Sequence, residues 1–168
     1  MSKQGLPPLL CENPRILVLG SLPGDKSIEM QQYYGHPRNR FWPLIAALTG
    51  ESLPQSIEEK KALLLRHHIA MWDVAESCVI EGSGDNSICE VTPVRIRELT
   101  GECQLEAVFA NGQTAWSLYM EYLYPLTEMP CVKLPSTSPA NAAVKPEVLL
   151  KKWGDALLPY LREEGGEA

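Results

Sequence analysis

The chain lacks most of the signatures that assign a protein quickly. Its five cysteines, Cys11, Cys78, Cys89, Cys103 and Cys131, are scattered and include no C-x-x-C pair. This spacing argues against a disulfide scaffold and against the usual zinc and iron–sulfur sites, and it fits a reducing cytoplasm. No apolar run approaches the roughly 18 residues that a membrane span requires. Residues 1–10 contain Lys3 with no long apolar segment after it, so no secretory signal is expected there. Neither a Walker A loop nor G-x-G-x-x-G occurs, which argues against a nucleotide cofactor. Repeats and low-complexity segments are absent. Basic charge is scarce: the formal net charge is −6, which taken alone disfavours a nucleic-acid partner. The acidity is uneven, however. Glu163, Glu164 and Glu167 crowd the last residues, whereas residues 1–45 hold five basic against three acidic side chains.

What is present is an ordinary globular composition: 168 residues, 45% hydrophobic and 21% charged. That length suits a single domain over 1–168 with an acidic tail from about 163. Four short apolar runs, 15–20, 69–74, 106–110 and 131–134, read as strands. The first is apolar without interruption, as expected of a parallel strand buried on both faces. Helical signals cover about 39–49, 56–67, 113–123 and 144–162. The second opens on a capping box, Ser56-Ile57-Glu58-Glu59. Thr92-Pro93 is expected to start a further helix, with Thr as cap and Pro in the first turn. Residues 1–13 read as an irregular lead-in and 76–91 as a polar turn region. The alternation predicts an α/β fold, a three-layer α/β/α domain with a central four-stranded, mostly parallel sheet. Ligands of such sheets bind beyond the carboxyl ends of the strands. The loops expected at that rim are 20–25, 73–77, 111–112 and 135–141.

The segment from Tyr33 to Trp42 concentrates the chemistry. It holds two tyrosines, His36, Arg38, Asn39, Arg40 and a Gly35–Pro37 turn before Phe41 and Trp42. Pro37 fixes its own φ and biases His36 away from the helical region, so a polar loop feeds a helix. Asn39 is either a cap of that helix or a group that orients a water or a leaving group, because an amide cannot serve as a general base. His36 is either a donor to a ligand or a turn residue. Asp73 ends a strand at the rim and suits a polar ligand, a turn or a helix cap. The loop Gly20-Ser21-Leu22-Pro23-Gly24 is either a plain tight turn or a cradle whose amides hold a carbonyl oxygen or an anion. Pro135 to Asn141 is either a stiff connection or a phosphate-gripping loop with three hydroxyls. Trp72, Phe41 and Trp42 are expected in the core.

With these three segments in hand, the sequence resembles the uracil-DNA glycosylase superfamily, in particular its hypoxanthine-DNA (DNA-deoxyinosine) glycosylase branch. Gly20-Ser21-Leu22-Pro23-Gly24 is similar to the family's motif 1. Tyr34 to Trp42 is similar to a segment shared with the mismatch-specific branch, and Leu134 to Asn141 to motif 2. The resemblance covers about residues 14–160. It implies that Gly20, Ser21, Leu22, Pro23 and Gly24 line a base pocket and that Tyr34 stacks on an extruded base. His36, Asp73 and Asn111 join the pocket as further candidates. Motif 2, with Ser136, Thr137, Ser138, Pro139, Ala140 and Asn141, would grip DNA, and Arg38 is placed beside it as a DNA contact. Sister branches carry Asp or Asn where this chain has Leu22; the asparagine at Asn39 is implied to take over as the catalytic group that holds the attacking water. The expected reaction is hydrolysis of the N-glycosidic bond of a flipped, deaminated base, chiefly hypoxanthine, with uracil or xanthine as further substrates. No metal and no cofactor are expected, no motif lysine is available for a Schiff base, and the partner is damaged DNA acted on by a cytoplasmic monomer. The rival reading is a small α/β enzyme that hydrolyses free nucleosides or nucleotides.

Overall fold

The computed structural model describes residues 2–4, 6–9, 14–22, 33–80, 88–96 and 105–161. Seven strands run through the described residues: β1 (Ser2–Gln4), β2 (Ile16–Gly20), β3 (Ile69–Asp73), β4 (Ala75–Ile80), β5 (Ile88–Pro93), β6 (Ala107–Asn111) and β7 (Cys131–Leu134). The helices are α1 (Phe41–Thr49), α2 (Ile57–Arg66), α3 (Gln113–Leu118) and α4 (Pro146–Leu157). A π turn over Tyr119–Leu123 carries α3 into a last turn at Tyr124–Thr127, and a 3-10 turn at Leu158–Tyr160 follows α4.

Four strands form the central sheet in the order β3-β2-β6-β7, every pair parallel. Helices on both faces explain why these strands are apolar at nearly every position. On one face Ile16, Val18, Ile69, Met71 and Phe109 pack with Phe41, Ile45, Leu63, Trp153 and Leu157 of α1, α2 and α4. On the other, Leu17, Leu19, Ala70 and Val108 pack with Tyr119, Leu123 and Ile96. The three-layer α/β/α arrangement expected from the sequence is therefore present. Ser56 caps α2 as the capping box requires, its Oγ accepting the Glu59 N–H at 3.1 Å.

The period-2 alternation also places the site. Following Ile16 and Val18, the next residue on that face of β2 is Gly20. Following Ile69 and Met71 on β3 it is Asp73, and following Phe109 on β6 it is Asn111. Gly20 pairs in register with Asp73, so the face turns from apolar to polar at one level as it reaches the carboxyl rim.

Three sequence expectations are corrected. Of the segment 76–91 expected to be a turn region, residues 76–80 and 88–91 are strand, and residues 81–87 lie outside the described residues: β4 and β5 pair antiparallel, and β1 adds a third strand, in the order β1-β4-β5. The polar residues of these strands hid them, because a small sheet outside the main core need not be apolar. Thr92-Pro93 ends β5 and does not cap a helix; helical structure starts only at Ile96, and residues 97–104 lie outside the described residues. β5 is an edge strand, where proline's missing N–H costs no ladder bond. Residues 1–13 are not wholly irregular either, since Leu9 bridges Met71 with bonds of 2.8 and 2.9 Å.

Trp153 is fully buried and its Nε1 donates to the Pro135 carbonyl at 2.8 Å, tying α4 to the loop after β7. Trp153→Phe keeps most of the apolar bulk but leaves that carbonyl unpaired. We expect a loss of about 1–2 kcal/mol, read as a fall of several degrees in Tm.

Candidate active site

Three adjacent strands end in Gly20, Asp73 and Asn111, and these form the floor of the rim. Gly20 is glycine for space: a Cβ there would lie 2.5 Å from Asp73 Oδ1 and 3.1 Å from the Tyr34 hydroxyl. Tyr34 roofs this floor. Its backbone is left-handed, with φ of 53°, a conformation that costs an L-residue of order 1–2 kcal/mol. The turn lays the ring against Phe41, with centroids 4.4 Å apart, and sends the hydroxyl toward Gly20, Asp73 and Asn111. Two buried atoms at this spot, the Tyr34 hydroxyl and Asp73 Oδ2, have no hydrogen-bond partner among the described residues. Burial pushes the Asp73 carboxyl up to about 8. Burial first, and the Asp73 carboxyl second, hold the Tyr34 phenol well above its ordinary value.

A chain of hydrogen bonds runs from this floor to the loop before α1. Asn111 Oδ1 accepts the Thr137 backbone N–H at 3.0 Å, and Asn111 Nδ2 donates to Thr137 Oγ1 at 2.9 Å. Thr137 Oγ1 in turn donates to Asn39 Oδ1 at 2.8 Å. Asn39 Oδ1 also accepts the Phe41 N–H at 2.9 Å, so this residue caps the first turn of α1 even though Arg40 stands at the boundary. The two backbone N–H groups fix the direction of every proton here. Each must meet an amide oxygen, which orients both asparagines and obliges the Thr137 hydroxyl to give its one hydrogen to Asn39. Asn39 Oδ1 then has both lone pairs engaged, and only its Nδ2 is left for a ligand.

The loop after β7 is fastened to the same point. The Arg40 N–H donates to the Thr137 carbonyl at 3.0 Å, and its guanidinium donates to the carbonyls of Val144 at 2.6 Å and Asn141 at 2.9 Å. Within the loop, Ser136 Oγ accepts the Ser138 N–H and Ser138 Oγ accepts the Ala140 N–H, both at 3.1 Å, while Asn141 Nδ2 donates to the Ser136 carbonyl at 3.0 Å. Gly112, with φ of 101°, lets this loop approach, since a Cβ there would lie 3.1 Å from that of Ser136. Beside the loop opens a groove of about 990 Å³, with Gln113, Lys133, Ser136, Asn141 and Lys152 among its walls.

Comparison with known proteins agrees with this fold. The sequence model described as the uracil DNA glycosylase superfamily matches residues 7–159. The chain belongs to the uracil DNA glycosylase superfamily. Two curated relatives, from Methanosarcina barkeri and Methanosarcina acetivorans, are both named hypoxanthine DNA glycosylase. They are 51% and 49% identical over 90 and 89 residues, 52% of this chain in each case. The chain spans 56% of the length of these relatives. A solution NMR structure of a Methanosarcina acetivorans protein, put forward as a uracil DNA glycosylase, superposes with a TM-score of 0.82. It is 36% identical and covers 96% of this chain and 99% of that one.

In glycosylase terms, the fold brings together four of the residues singled out in the sequence as pocket or catalytic candidates: Gly20, Tyr34, Asp73 and Asn111 at the rim. Asn39 joins them through Thr137. Ser21 and Leu22 follow Gly20 half-buried, and the Ser21 carbonyl accepts the Ala75 N–H. Pro23 and Gly24 of motif 1, and Asp25, lie outside the described residues. His36 is exposed and builds its turn: its Nδ1 accepts the Arg38 N–H and its carbonyl the Asn39 N–H. Arg38 is exposed. Thr137 departs from its expected place among the DNA contacts. It is fully buried and both of its polar groups on the side facing Asn39 and Asn111 are used, so it is an internal link. Sequence reasoning missed Arg40, because its partners are carbonyls about a hundred residues away and carry no sequence signal.

Asp73 makes stability depend on pH. Its ordinary value is 3.8 and its folded value about 8, so between them the folded protein holds a proton that the unfolded chain has released. The stabilisation from the neutral acid is complete below the unfolded value and is lost as pH rises toward the folded one. Asp73→Asn removes the titration. We expect it to melt several degrees above wild type near pH 8, with the gap closing toward about pH 4. Parallel pH–Tm curves for the two proteins would remove this role from Asp73.

Proposed function

We propose that this glycosylase-superfamily chain excises deaminated bases from DNA, chiefly hypoxanthine from deoxyinosine, with uracil and xanthine as secondary substrates. The observation that carries the reading is the meeting of the 33–42 segment, motif 2 and the strand rim at one buried hydroxyl. The names of the two curated relatives support the choice of base, as does leucine at position 22, where sister branches hold Asp or Asn.

The reaction begins with extrusion of the nucleotide, which costs a few kcal/mol and least for a mispaired base such as hypoxanthine opposite thymine. Breaking the N-glycosidic bond builds positive charge on the sugar and negative charge on the departing base. Donors aimed at the base stabilise that charge, and the Asn39 amide and the backbone N–H groups of Ser21 and Leu22 are the groups we assign to it. DNA phosphates stabilise the sugar. Water completes the hydrolysis, so Asn39 is the catalytic residue without acting as a base, and Tyr34, Asp73 and Asn111 enclose the base. His36 stays an outer substrate contact in this reading. Nothing in the scheme calls for a cofactor or a metal, and without a motif lysine the product is an intact abasic site. Arg38, the exposed tip at Ser138, Pro139, Ala140 and Asn141, and the groove with Lys133 and Lys152 would hold the backbone. We place the protein in the cytoplasm, as a monomer of one domain acting on damaged DNA.

A set of labelled duplexes holding deoxyinosine, uracil or xanthine, followed by alkali, tests this directly. We expect breaks at deoxyinosine first. Asn39→Ala is expected to lower the rate by about a hundredfold or more while retaining binding. Affinity should fall as salt rises, as phosphate contacts require. Turnover of free inosine with intact deoxyinosine duplexes would show the reading to be wrong.

A further inference from the structure

The direction of the hydrogen bonds around Asn39 decides what this residue can do, and Thr137 sets that direction. Its hydroxyl is enclosed, receives a hydrogen from Asn111 Nδ2 at 2.9 Å and passes its own to Asn39 Oδ1 at 2.8 Å. The Phe41 N–H at 2.9 Å fills the other side of that oxygen. An amide oxygen has two lone pairs, and both are engaged. Asn39 therefore has no acceptor left with which to draw a proton from water.

We propose that Thr137 is a positioning residue that makes Asn39 a hydrogen-bond donor in the reaction, holding its oxygen inward so that the Nδ2 hydrogens alone meet the substrate. This rests on the glycosylase reading and deepens it. A donor stabilises a base that gains negative charge as it departs. It also suits a 6-oxo purine, whose carbonyl oxygen accepts, and opposes adenine, whose amino group at the same place donates. A link from the loop after β7 to Asn39 further means that the segment expected to grip DNA also aligns the amide.

Three variants separate this from a packing role. Thr137→Val keeps the shape and removes the hydroxyl; Thr137→Ser keeps the hydroxyl and removes the methyl. Asn39→Asp keeps the oxygen that Thr137 and Phe41 bond, and so the fold, but replaces the donor with an acceptor. Single-turnover rates and duplex affinities are measured on deoxyinosine and adenosine DNA, with melting curves for each variant. We expect Thr137→Val to lose about tenfold or more in rate with affinity little changed. Thr137→Ser should restore most of that loss, and Asn39→Asp should be as slow as Asn39→Ala. A wild-type rate in Thr137→Val, an equal loss in Thr137→Ser, or a fast Asn39→Asp would each overturn the proposal. A wild-type protein that leaves deoxyinosine DNA intact would instead remove the underlying glycosylase reading.

Discussion

One buried hydroxyl, that of Thr137, holds three distant parts of the chain together. It joins the loop after β7 to Asn111 at the end of β6 and to Asn39 ahead of α1. A hydroxyl in this place costs about 1–3 kcal/mol if left unpaired, so both neighbours must be amides in fixed orientations. The backbone enforces the same geometry from either side, through the N–H groups of Thr137 and Phe41. Arg40 then draws in the rest of the loop by three bonds to carbonyls. The side-chain oxygens of Asn39, Asn111 and Thr137 are thus all satisfied internally.

The floor of the site is arranged differently, at a cost to the fold. Tyr34 sits at positive φ, its hydroxyl and Asp73 Oδ2 are buried without partners among the described residues, and Asp73 is driven toward its neutral form. Strain, unsatisfied polar groups and a shifted acid concentrated at one rim are features that the apolar core beneath would not retain for stability. Gly20 makes the crowding possible by leaving room for both side chains. The stabilisation comes from the layers around it, where Phe41, Trp42 and Trp153 anchor the loop and α4 against the sheet.

The four parallel strands were legible from their apolar runs, which in β2, β3 and β6 are largely buried on both faces, and α2 because its cap is written in Ser56 and Glu59. Asn39 and motif 2 were legible as motifs, and Asn39 proved to be a cap of α1 that is also bonded to Thr137. Their joining was not legible. Nothing in the local sequence says that Thr137 turns inward while Ser136 and Ser138 brace the loop, or that Arg40 reaches Val144. The small sheet of β1, β4 and β5 was missed for a related reason: its strands carry polar residues, and pairing, not periodicity, makes them strands.

The most direct measurement is a crystal structure of the protein on a duplex carrying an uncleavable 2′-fluoro analogue of deoxyinosine. We expect the extruded base to lie within hydrogen-bond distance of Asn39 Nδ2, with Asn39 Oδ1 still bonded to Thr137 and Phe41. A complex in which Asn39 has left Thr137 and meets water or base through its oxygen would contradict the donor role and the link on which it depends.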